Sequence, residues 1–207
     1  GPIAISHNGN LVNGTLLRNE LEQAGSIFQS TSDTEVIIHL IATSKEPTLM
    51  GRIVEALSRC RGAYSLQFLT LDKLIAARDP YGFRPLVLGR FPEGKNRGAY
   101  VFASETCALD LIEAEYVRDV EPGEIVTIGP DGLESLKPFP PVPHAKCIFE
   151  FIYFARPDSK LFGHNVYRVR KSLGRQLARE SGVDADLVTP VPDSGVPAAM
   201  GFAEESK

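Results

Sequence analysis

The sequence has no tryptophan, only two methionines and three cysteines in 207 residues. The cysteines, Cys60, Cys107 and Cys147, form no paired disulfide framework, so we expect a reducing, cytoplasmic environment. No apolar run approaches the roughly 18 residues that a membrane span needs, and no signal peptide is visible, so no membrane partner is expected. The formal net charge of −4 and the lack of a basic run argue against a nucleic-acid partner.

What is present is the composition of an ordinary globular protein. Hydrophobic residues make up 43% of the chain and charged residues 23%. The length of 207 residues allows one large domain, or one domain and part of another. The chain begins without a methionine inside an apparent strand, Ile3–Ile5, and stops inside a helical pattern that starts near Val196. We therefore expect it to be part of a longer protein that extends past both ends.

The first half of the chain carries helical patterns, and strand patterns follow. Apolar spacing predicts helices over 13–23, 32–41 and 48–60, with Asn13 as a cap and Ser32 and Glu35 as a capping box. Strands are predicted over 64–71, 74–77, 86–90, 100–103, 125–128 and 133–136. Helices followed by strands predict an α+β layered domain.

A proline-rich segment divides this region from the rest. Four prolines lie within residues 137–144, where they disfavour both helix and central strand. We therefore divide the chain into a first domain over residues 1–137, a linker over 138–146 and the start of a second domain over 147–207. The second part is predicted as strand (148–154), helix (166–180), strand (187–189) and helix (from 196), a pattern typical of a parallel α/β sheet.

Asn8-Gly9 is the first candidate for chemistry. An amide side chain and an unshielded backbone N–H are the donors that an oxyanion hole needs. Taken alone, the same dipeptide is also typical of a tight turn. His7 precedes it, and we interpret that residue as a packed histidine rather than a base, because no nucleophile is recognisable next to it.

Other candidates each have a structural explanation beside the functional one. Asp33 lies in the first turn of a predicted helix, where it either complements the helix dipole or receives a substrate ammonium group. Arg78–Pro85 fits a turn between strands, and Cys147 fits a small buried hydrophobe. Ser194, in a strand-to-helix loop, fits either a helix cap or a hydroxyl near phosphate-bound Mg²⁺.

Taken together, the motifs resemble the amidophosphoribosyltransferase family, the glutamine phosphoribosylpyrophosphate amidotransferases. Ser6–Asn13 and Ser32–Glu35 are shared with related glutaminases. The Asp-Pro-x-Gly-x-Arg-Pro and Tyr-Phe-Ala-Arg-Pro-Asp-Ser motifs are more specific to this family. The resembling segments are Ser6–Asn13, Ser32–Glu35, Asp79–Pro85, Ala103–Thr106, Glu121–Glu124, Tyr153–Ser159 and Val191–Ser194.

The resemblance implies a four-layer αββα N-terminal-nucleophile glutaminase domain followed by a phosphoribosyltransferase domain. It implies that an N-terminal cysteine attacks the glutamine amide, with Asn8 and Gly9 as the oxyanion hole and Asp33 holding the substrate amino group. Ammonia then reaches phosphoribosylpyrophosphate, which yields phosphoribosylamine, glutamate and pyrophosphate in the first committed step of purine synthesis.

The resemblance also implies cofactors and an assembly. Ser194 matches a position associated with the Mg²⁺ site, and Cys147 matches the first of four ligands of a [4Fe–4S] cluster that many members carry. Tyr153–Ser159 is a candidate for coupling the two sites. Family members are commonly homo-tetramers with nucleotide end-product inhibition.

Several of the family's features are not in these residues, notably the N-terminal cysteine, the glutamine-carboxylate arginine and the phosphate-binding loop. We therefore predict that residues 1–207 alone are inactive. Two alternatives stay open: another glutamine amidotransferase of the glucosamine-phosphate synthase type, and a degenerate non-catalytic module. The first leaves Ala155–Ser159 and Val191–Ser194 unexplained.

Overall fold

The computed structural model describes residues 2 to 206. The chain divides into two compact units: unit 1 runs to Leu86 and resumes over Val120–Lys146, and unit 2 consists of Val87–Asp119 and the residues from Cys147 onward. In chain order the elements are β1 (Ala4–Leu11), α1 (Gly14–Gln23), α2 (Asp33–Thr43), α3 (Leu49–Arg59), β2 (Gly62–Leu69), β3 (Leu74–Arg78), β4 (Val87–Arg90), β5 (Tyr100–Ala103), α4 (Thr106–Leu111), β6 (Glu115–Asp119), β7 (Ile125–Gly129), β8 (Gly132–Leu136), a π-helix (Glu150–Phe154), β9 (Lys160–Leu161), β10 (His164–Asn165), α5 (Val166–Glu180) and α6 (Val196–Glu205).

Unit 1 is an antiparallel sheet with helices packed on it. Its strands lie in the order β1-β2-β3-β7-β8, and every neighbouring pair is antiparallel. The predicted helices over 13–23, 32–41 and 48–60 are confirmed as α1, α2 and α3. Burying each large aliphatic side chain of their apolar faces contributes about 1.5–3 kcal/mol. The buried side chains of these faces are Leu17, Leu21, Val36, Ile37, Leu40, Ile41, Ile53 and Leu57.

The predicted Asn13 cap is wrong, and the predicted capping box of α2 is only half formed. The Asn13 side chain does not cap α1; it bonds instead to the carbonyl of Arg59 and the N–H of Arg61, both at 2.9 Å. Ser32 caps α2 by accepting the N–H of Thr34 at 3.2 Å. The reciprocal half of the predicted capping box is missing, because the Glu35 carboxylate is used by the preceding loop. The helices begin where predicted, but of the predicted capping side chains only Ser32 bonds to a first turn.

Unit 2 contains an antiparallel sheet of order β5-β4-β6, the short β9-β10 hairpin and the helix pair α5–α6. Two glycines let the helix backbones touch. A Cβ at Gly174 would lie 1.8 Å from the carbonyl oxygen of Ala198, and one at Gly201 would lie 2.0 Å from that of Lys171. Any larger residue at either position would force the helices apart.

The predicted strand at 148–154 is wrong, because residues Glu150–Phe154 form a π-helix. Arg170 of α5 is 3% exposed and explains this outcome. Its guanidinium donates to the carbonyls of Phe151 at 2.5 Å and Ala155 at 2.8 Å, bonds that replace strand pairing. The predicted strand at 187–189 is also wrong: that segment has no strand geometry, and Leu187 is exposed.

Residues 138–146 form neither helix nor strand. Phe139 packs against the core of unit 1, and the N–H of Ala145 donates to the carbonyl of Tyr81 at 2.8 Å. The assignment of residues 1–137 and 147–207 to different functional domains stays a prediction. Among residues 2 to 206, no helix has both the length and the apolar character that a membrane crossing requires.

Candidate functional site

Asn8 and Gly9 lie inside strand β1, so the tight-turn interpretation of this dipeptide is wrong. They are paired across the β1–β2 ladder with Ser65 and Tyr64. A Cβ at Gly9 would lie 2.1 Å from the carbonyl oxygen of Ala63. Glycine is therefore required at position 9, because strand β2 approaches too closely for a side chain. The Asn8-Gly9 motif is part of an extended strand.

Asp33 is tied directly to the same strand. It is the first residue of α2, and its Oδ2 accepts the backbone N–H of Leu11, at the end of β1, at 2.8 Å. Its side chain keeps 26% exposure, so the carboxylate is held in place yet open to a ligand. The structure thus connects Asp33, the predicted ligand of the substrate ammonium group, to the strand that carries Asn8 and Gly9.

His7 is packed, as interpreted from the sequence. Its side chain is only 4% exposed. Nδ1 lies 3.1 Å from the Thr34 hydroxyl and 3.5 Å from Oδ1 of Asp33, and Nε2 lies 3.4 Å from the carbonyl oxygen of Ala63. The ring therefore braces the first turn of α2 against the sheet and positions Asp33.

A cavity of about 340 Å³ opens beside Asp33. It is lined by the end of β1, the start of α1 and residues 31–33. Arg18 of α1 also lines it, with its guanidinium 4.2 Å from the Phe28 ring and its Nε bonded to Glu22 at 3.1 Å. Sequence reasoning missed Arg18, because one arginine on a helix carries no motif.

The loop before the cavity is fixed by Glu35. Its carboxylate accepts the N–H groups of Gln29 at 2.7 Å and Ser30 at 2.8 Å, and the Ser30 hydroxyl at 2.6 Å. The bond from the Ser30 side chain and that from the Gln29 backbone lower the pKa of Glu35 to about 2. Glu35 therefore stays charged at neutral pH and holds the segment that leads into Thr31 and Ser32.

Residues 79–85 are built around two buried charged side chains, Arg78 and Asp79. Burial raises the pKa of Asp79 although backbone N–H bonds oppose the shift. The sequence suggested only a turn here. The Asp79 carboxylate accepts N–H groups at 2.9–3.3 Å from Tyr81, Phe83 and Tyr64. The Arg78 guanidinium donates to carbonyl oxygens at 2.6–3.1 Å, those of Val120, Arg84 and Gly82.

Unit 2 brings two of the sequence motifs together. Oε2 of Glu105 accepts the backbone N–H of Arg156 and the hydroxyl of Ser159, both at 2.8 Å. The N–H of Lys160 donates to the Thr106 hydroxyl at 2.8 Å. Segments that lie about fifty residues apart in sequence are thereby joined, and Ser159 is completely buried at the junction. A role of Tyr153–Ser159 in coupling two sites stays a prediction.

Comparison with known proteins decides the family. Residues 1–111 match the model of the glutamine amidotransferase domain, which is more than half of the chain. The chain belongs to the glutamine amidotransferase family. This amidotransferase chain is 52% identical over 211 residues to an amidophosphoribosyltransferase of Rhizobium etli. It is 54% identical over 206 residues to the chloroplastic amidophosphoribosyltransferase 1 of Arabidopsis thaliana.

The similarity runs through the whole amidotransferase chain. Both alignments cover 100% of it, but only 42% of the Rhizobium protein and 36% of the Arabidopsis protein. A solved Bacillus subtilis structure, glutamine phosphoribosylpyrophosphate amidotransferase complexed with ADP and GMP, superposes with a TM-score of 0.92 at 49% identity. It covers 99% of this chain and 44% of that one, and it confirms the predicted α+β fold class.

The residues of this amidotransferase chain do not suffice for an iron–sulfur cluster. A [4Fe–4S] cluster takes four cysteine ligands, and the sequence has three cysteines. Over residues 2–206, no three His, Cys, Asp or Glu side chains form a group that could hold a metal ion. Cys147 is partly exposed rather than buried, so the interpretation as a buried hydrophobe is wrong.

Ser194 lies two residues before the start of α6 and is partly exposed, beside the exposed Asp193. Hydroxyl and carboxylate oxygens are ligands that Mg²⁺ accepts, usually together with water and substrate phosphates. The hydroxyl of Ser194 and the carboxylate of Asp193 are therefore of the right chemical kind for such a site, although these two groups are too few to form one alone. The assignment of Ser194 stays a prediction.

Proposed function

We propose that this chain carries the glutamine site of an amidophosphoribosyltransferase, which converts glutamine and phosphoribosylpyrophosphate to phosphoribosylamine, glutamate and pyrophosphate. The bond between Asp33 and the N–H of Leu11 supports the proposal, because it ties Asp33 to the strand that carries Asn8 and Gly9. Identity of 49–54% along the chain, rather than over the first motifs alone, favours this function over other glutamine amidotransferases. It also favours catalysis over a degenerate module.

In the glutamine reaction, a nucleophile adds to the amide carbon and the carbonyl oxygen becomes an oxyanion. Asn8 and Gly9 are proposed to donate to that oxygen, and each such donor is worth about 3–4 kcal/mol in a transition state. Asp33 receives the substrate ammonium group. The nucleophile is the family's N-terminal cysteine, a role that we assign to none of Cys60, Cys107 and Cys147. Collapse of the adduct breaks the C–N bond, releases ammonia and leaves a thioester, which water then hydrolyses to glutamate and the free thiol.

In the second reaction, ammonia attacks the anomeric carbon of phosphoribosylpyrophosphate, and pyrophosphate leaves. We propose that Ser194, with Asp193, contributes oxygen ligands to Mg²⁺, which would neutralise charge on the diphosphate. Cys147 as a cluster ligand is proposed only for a protein that supplies further cysteines. A homo-tetramer in the cytoplasm completes the proposal, which belongs to the protein that contains this chain rather than to residues 1–207 alone.

The test replaces Asp33 by asparagine in the protein that contains this chain. Loss of a charge-assisted bond to the ammonium group costs about 1.5–3 kcal/mol, so KM for glutamine should rise about ten- to a hundredfold. The activity with added ammonia and phosphoribosylpyrophosphate should be unchanged, because free ammonia bypasses the glutamine site. Phosphoribosylamine formation is measured with each nitrogen donor.

Asp131→Asn is the matched control, since Asp131 is an exposed carboxylate in the turn between β7 and β8. It should leave both activities unchanged. An unaltered KM for glutamine in Asp33→Asn would refute the role of Asp33. No phosphoribosylamine from either nitrogen donor in the unsubstituted protein would refute the proposed function itself. Glutamine turnover by residues 1–207 alone would contradict the prediction that they are inactive.

A further inference from the structure

Unit 2 contains a concave surface with basic side chains and no acidic one. The cavity has a volume of about 630 Å³ and lies between the β9–β10 hairpin and the first half of α5. Its volume falls within the range of small-molecule sites, roughly 300–1,000 Å³. We name it the basic groove, after Lys160, His164 and Arg168, which line it together with Asn165, Ser172 and Gln176.

The cations of the basic groove differ from the others on α5. Lys171 and Arg175 pair with Glu204, and Arg179 pairs with Glu205. Over residues 2–206, by contrast, no carboxylate lies within ion-pair distance of Lys160, His164 or Arg168. One face of α5 is therefore neutralised by α6, whereas the face at the groove keeps its positive charge.

Local structure holds these side chains around one space. The β9–β10 register places Lys160 opposite Asn165, immediately before α5. The His164 ring packs edge-on against Phe151, with centroids 6.4 Å apart. Arg168 follows on the first turn of α5, where its N–H bonds to Oδ1 of Asn165 at 3.0 Å. The cations thus come from a hairpin and a helix that are fixed to each other.

The backbone at the start of α5 is already satisfied. The N–H of Val166 donates to the Ser159 carbonyl and that of Tyr167 to the Pro157 carbonyl, both at 3.0 Å. An anion in the groove would therefore be bound by side chains rather than by backbone N–H groups. A guanidinium fork matches phosphate oxygens, and a cleft lined by charge of one sign concentrates the opposite ion.

We propose that the basic groove binds a small phosphorylated molecule. A phosphate group brings about two negative charges and several acceptor oxygens, which Arg168 and Lys160 can share, with His164 as a further hydrogen-bond donor. Val169 and Leu173 also line the groove and offer apolar surface to the rest of the ligand. The net charge of −4 disfavours a long polyanion such as nucleic acid, whereas the groove is large enough for a small one.

Isothermal titration calorimetry of the 207-residue chain at low ionic strength tests this proposal, with inorganic pyrophosphate as the probe. Arg168→Gln and Lys160→Gln should each weaken pyrophosphate binding about tenfold or more. Arg179→Gln is the matched control: it removes the same charge from the same helix, but Arg179 pairs with Glu205 and does not line the groove. It should leave the affinity unchanged.

Inorganic phosphate and ribose 5-phosphate distinguish the sources of the phosphate group. Tighter binding of ribose 5-phosphate than of phosphate would support a sugar phosphate that uses the apolar wall, and equal binding would support a free anion. The absence of pyrophosphate binding would overturn the proposal. Equal weakening by Arg168→Gln and Arg179→Gln would overturn it as well, since general electrostatic attraction would then explain the affinity.

Discussion

Replacing Glu105 by alanine is expected to destabilise unit 2 by about 2 kcal/mol. The change leaves the Ser159 hydroxyl, which is fully buried, without its carboxylate acceptor. A hydrogen bond to a charged group contributes about 1.5–3 kcal/mol when its burial prevents water from replacing it. The other bond to Glu105, from the N–H of Arg156, is exposed, so water can replace it at little cost.

A double-mutant cycle isolates the bond between Glu105 and Ser159. Ser159→Ala alone removes the donor, and the double variant removes both partners. If the bond contributes as inferred, the loss in the double variant is smaller than the sum of the single losses by about 1–2 kcal/mol. Glu105→Gln keeps an acceptor oxygen without the charge, so it should cost less than Glu105→Ala.

Urea unfolding followed by circular dichroism gives the free energies, and hydrogen exchange locates the effect. The amides of residues 156–160 and of α5 should lose protection in Glu105→Ala, whereas those of α1 to α3 in unit 1 should not. A coupling energy below about 0.5 kcal/mol would refute the reasoning, because residues in contact normally exceed that value. Equal loss of protection in both units would refute the assignment of the effect to unit 2.

Two further predictions concern ionisation. The pKa of Glu35 is lowered from 4.5 to about 2, so its contribution to stability is complete above pH 4.5 and is lost as the pH falls toward 2. The melting temperature of Glu35→Gln should therefore fall less between pH 6 and pH 3 than that of the unsubstituted chain; equal falls would contradict this. Burial raises the pKa of Cys60 to about 12, so its thiol stays protonated at pH 8 and reacts slowly with an aromatic disulfide reagent. The partly exposed Cys147 should react first, and Cys147→Ser should abolish the fast phase of the absorbance change; fast labelling of Cys60 would contradict the prediction.

The helices of unit 1 could be predicted because local spacing alone specifies their buried faces. Leu17 and Leu21 are four residues apart, and both are buried in the core. The bonds of the first turns could not be predicted in the same way. Glu35 is three residues after Ser32, as a capping box requires, but the N–H groups of Gln29 and Ser30 compete for its carboxylate.

Elements that depend on distant partners were the ones that sequence patterns missed. An apolar run such as 148–154 has no distinctive period, and Arg170 of α5 holds its conformation by bonding to the carbonyl of Phe151 and to that of Ala155, directly after the run. Strand β6 was not predicted, because most of its residues are exposed and show no alternation. A five-residue strand of this kind is specified by its pairing with β4.

The candidate site was predicted in part. Asn8, Gly9 and Asp33 were found by the chemistry of their side chains and by resemblance, and their roles stay predictions. That Asp33 is tied to β1 through Leu11 could not be predicted, because the bond uses a backbone N–H that any residue would supply. Arg18 and the basic groove could not be predicted for a related reason. Their neighbours are close in space but distant or unremarkable in sequence, so no motif marks them.

The course of the chain between the units has a consequence for how the protein is made. The N–H of Val120 donates to the carbonyl of Leu86 at 2.9 Å, so the segment between them leaves unit 1 and returns to the same point. Unit 2 needs this segment and also the residues from Cys147 onward. On a ribosome, residues 87–119 therefore emerge before residues 156–160, and Glu105 and Thr106 must wait for these bonding partners. Slower synthesis after residue 119 would lengthen that wait. Replacing residues 87–119 by a short turn would remove no strand from the sheet of unit 1, because all five of its strands lie outside this segment.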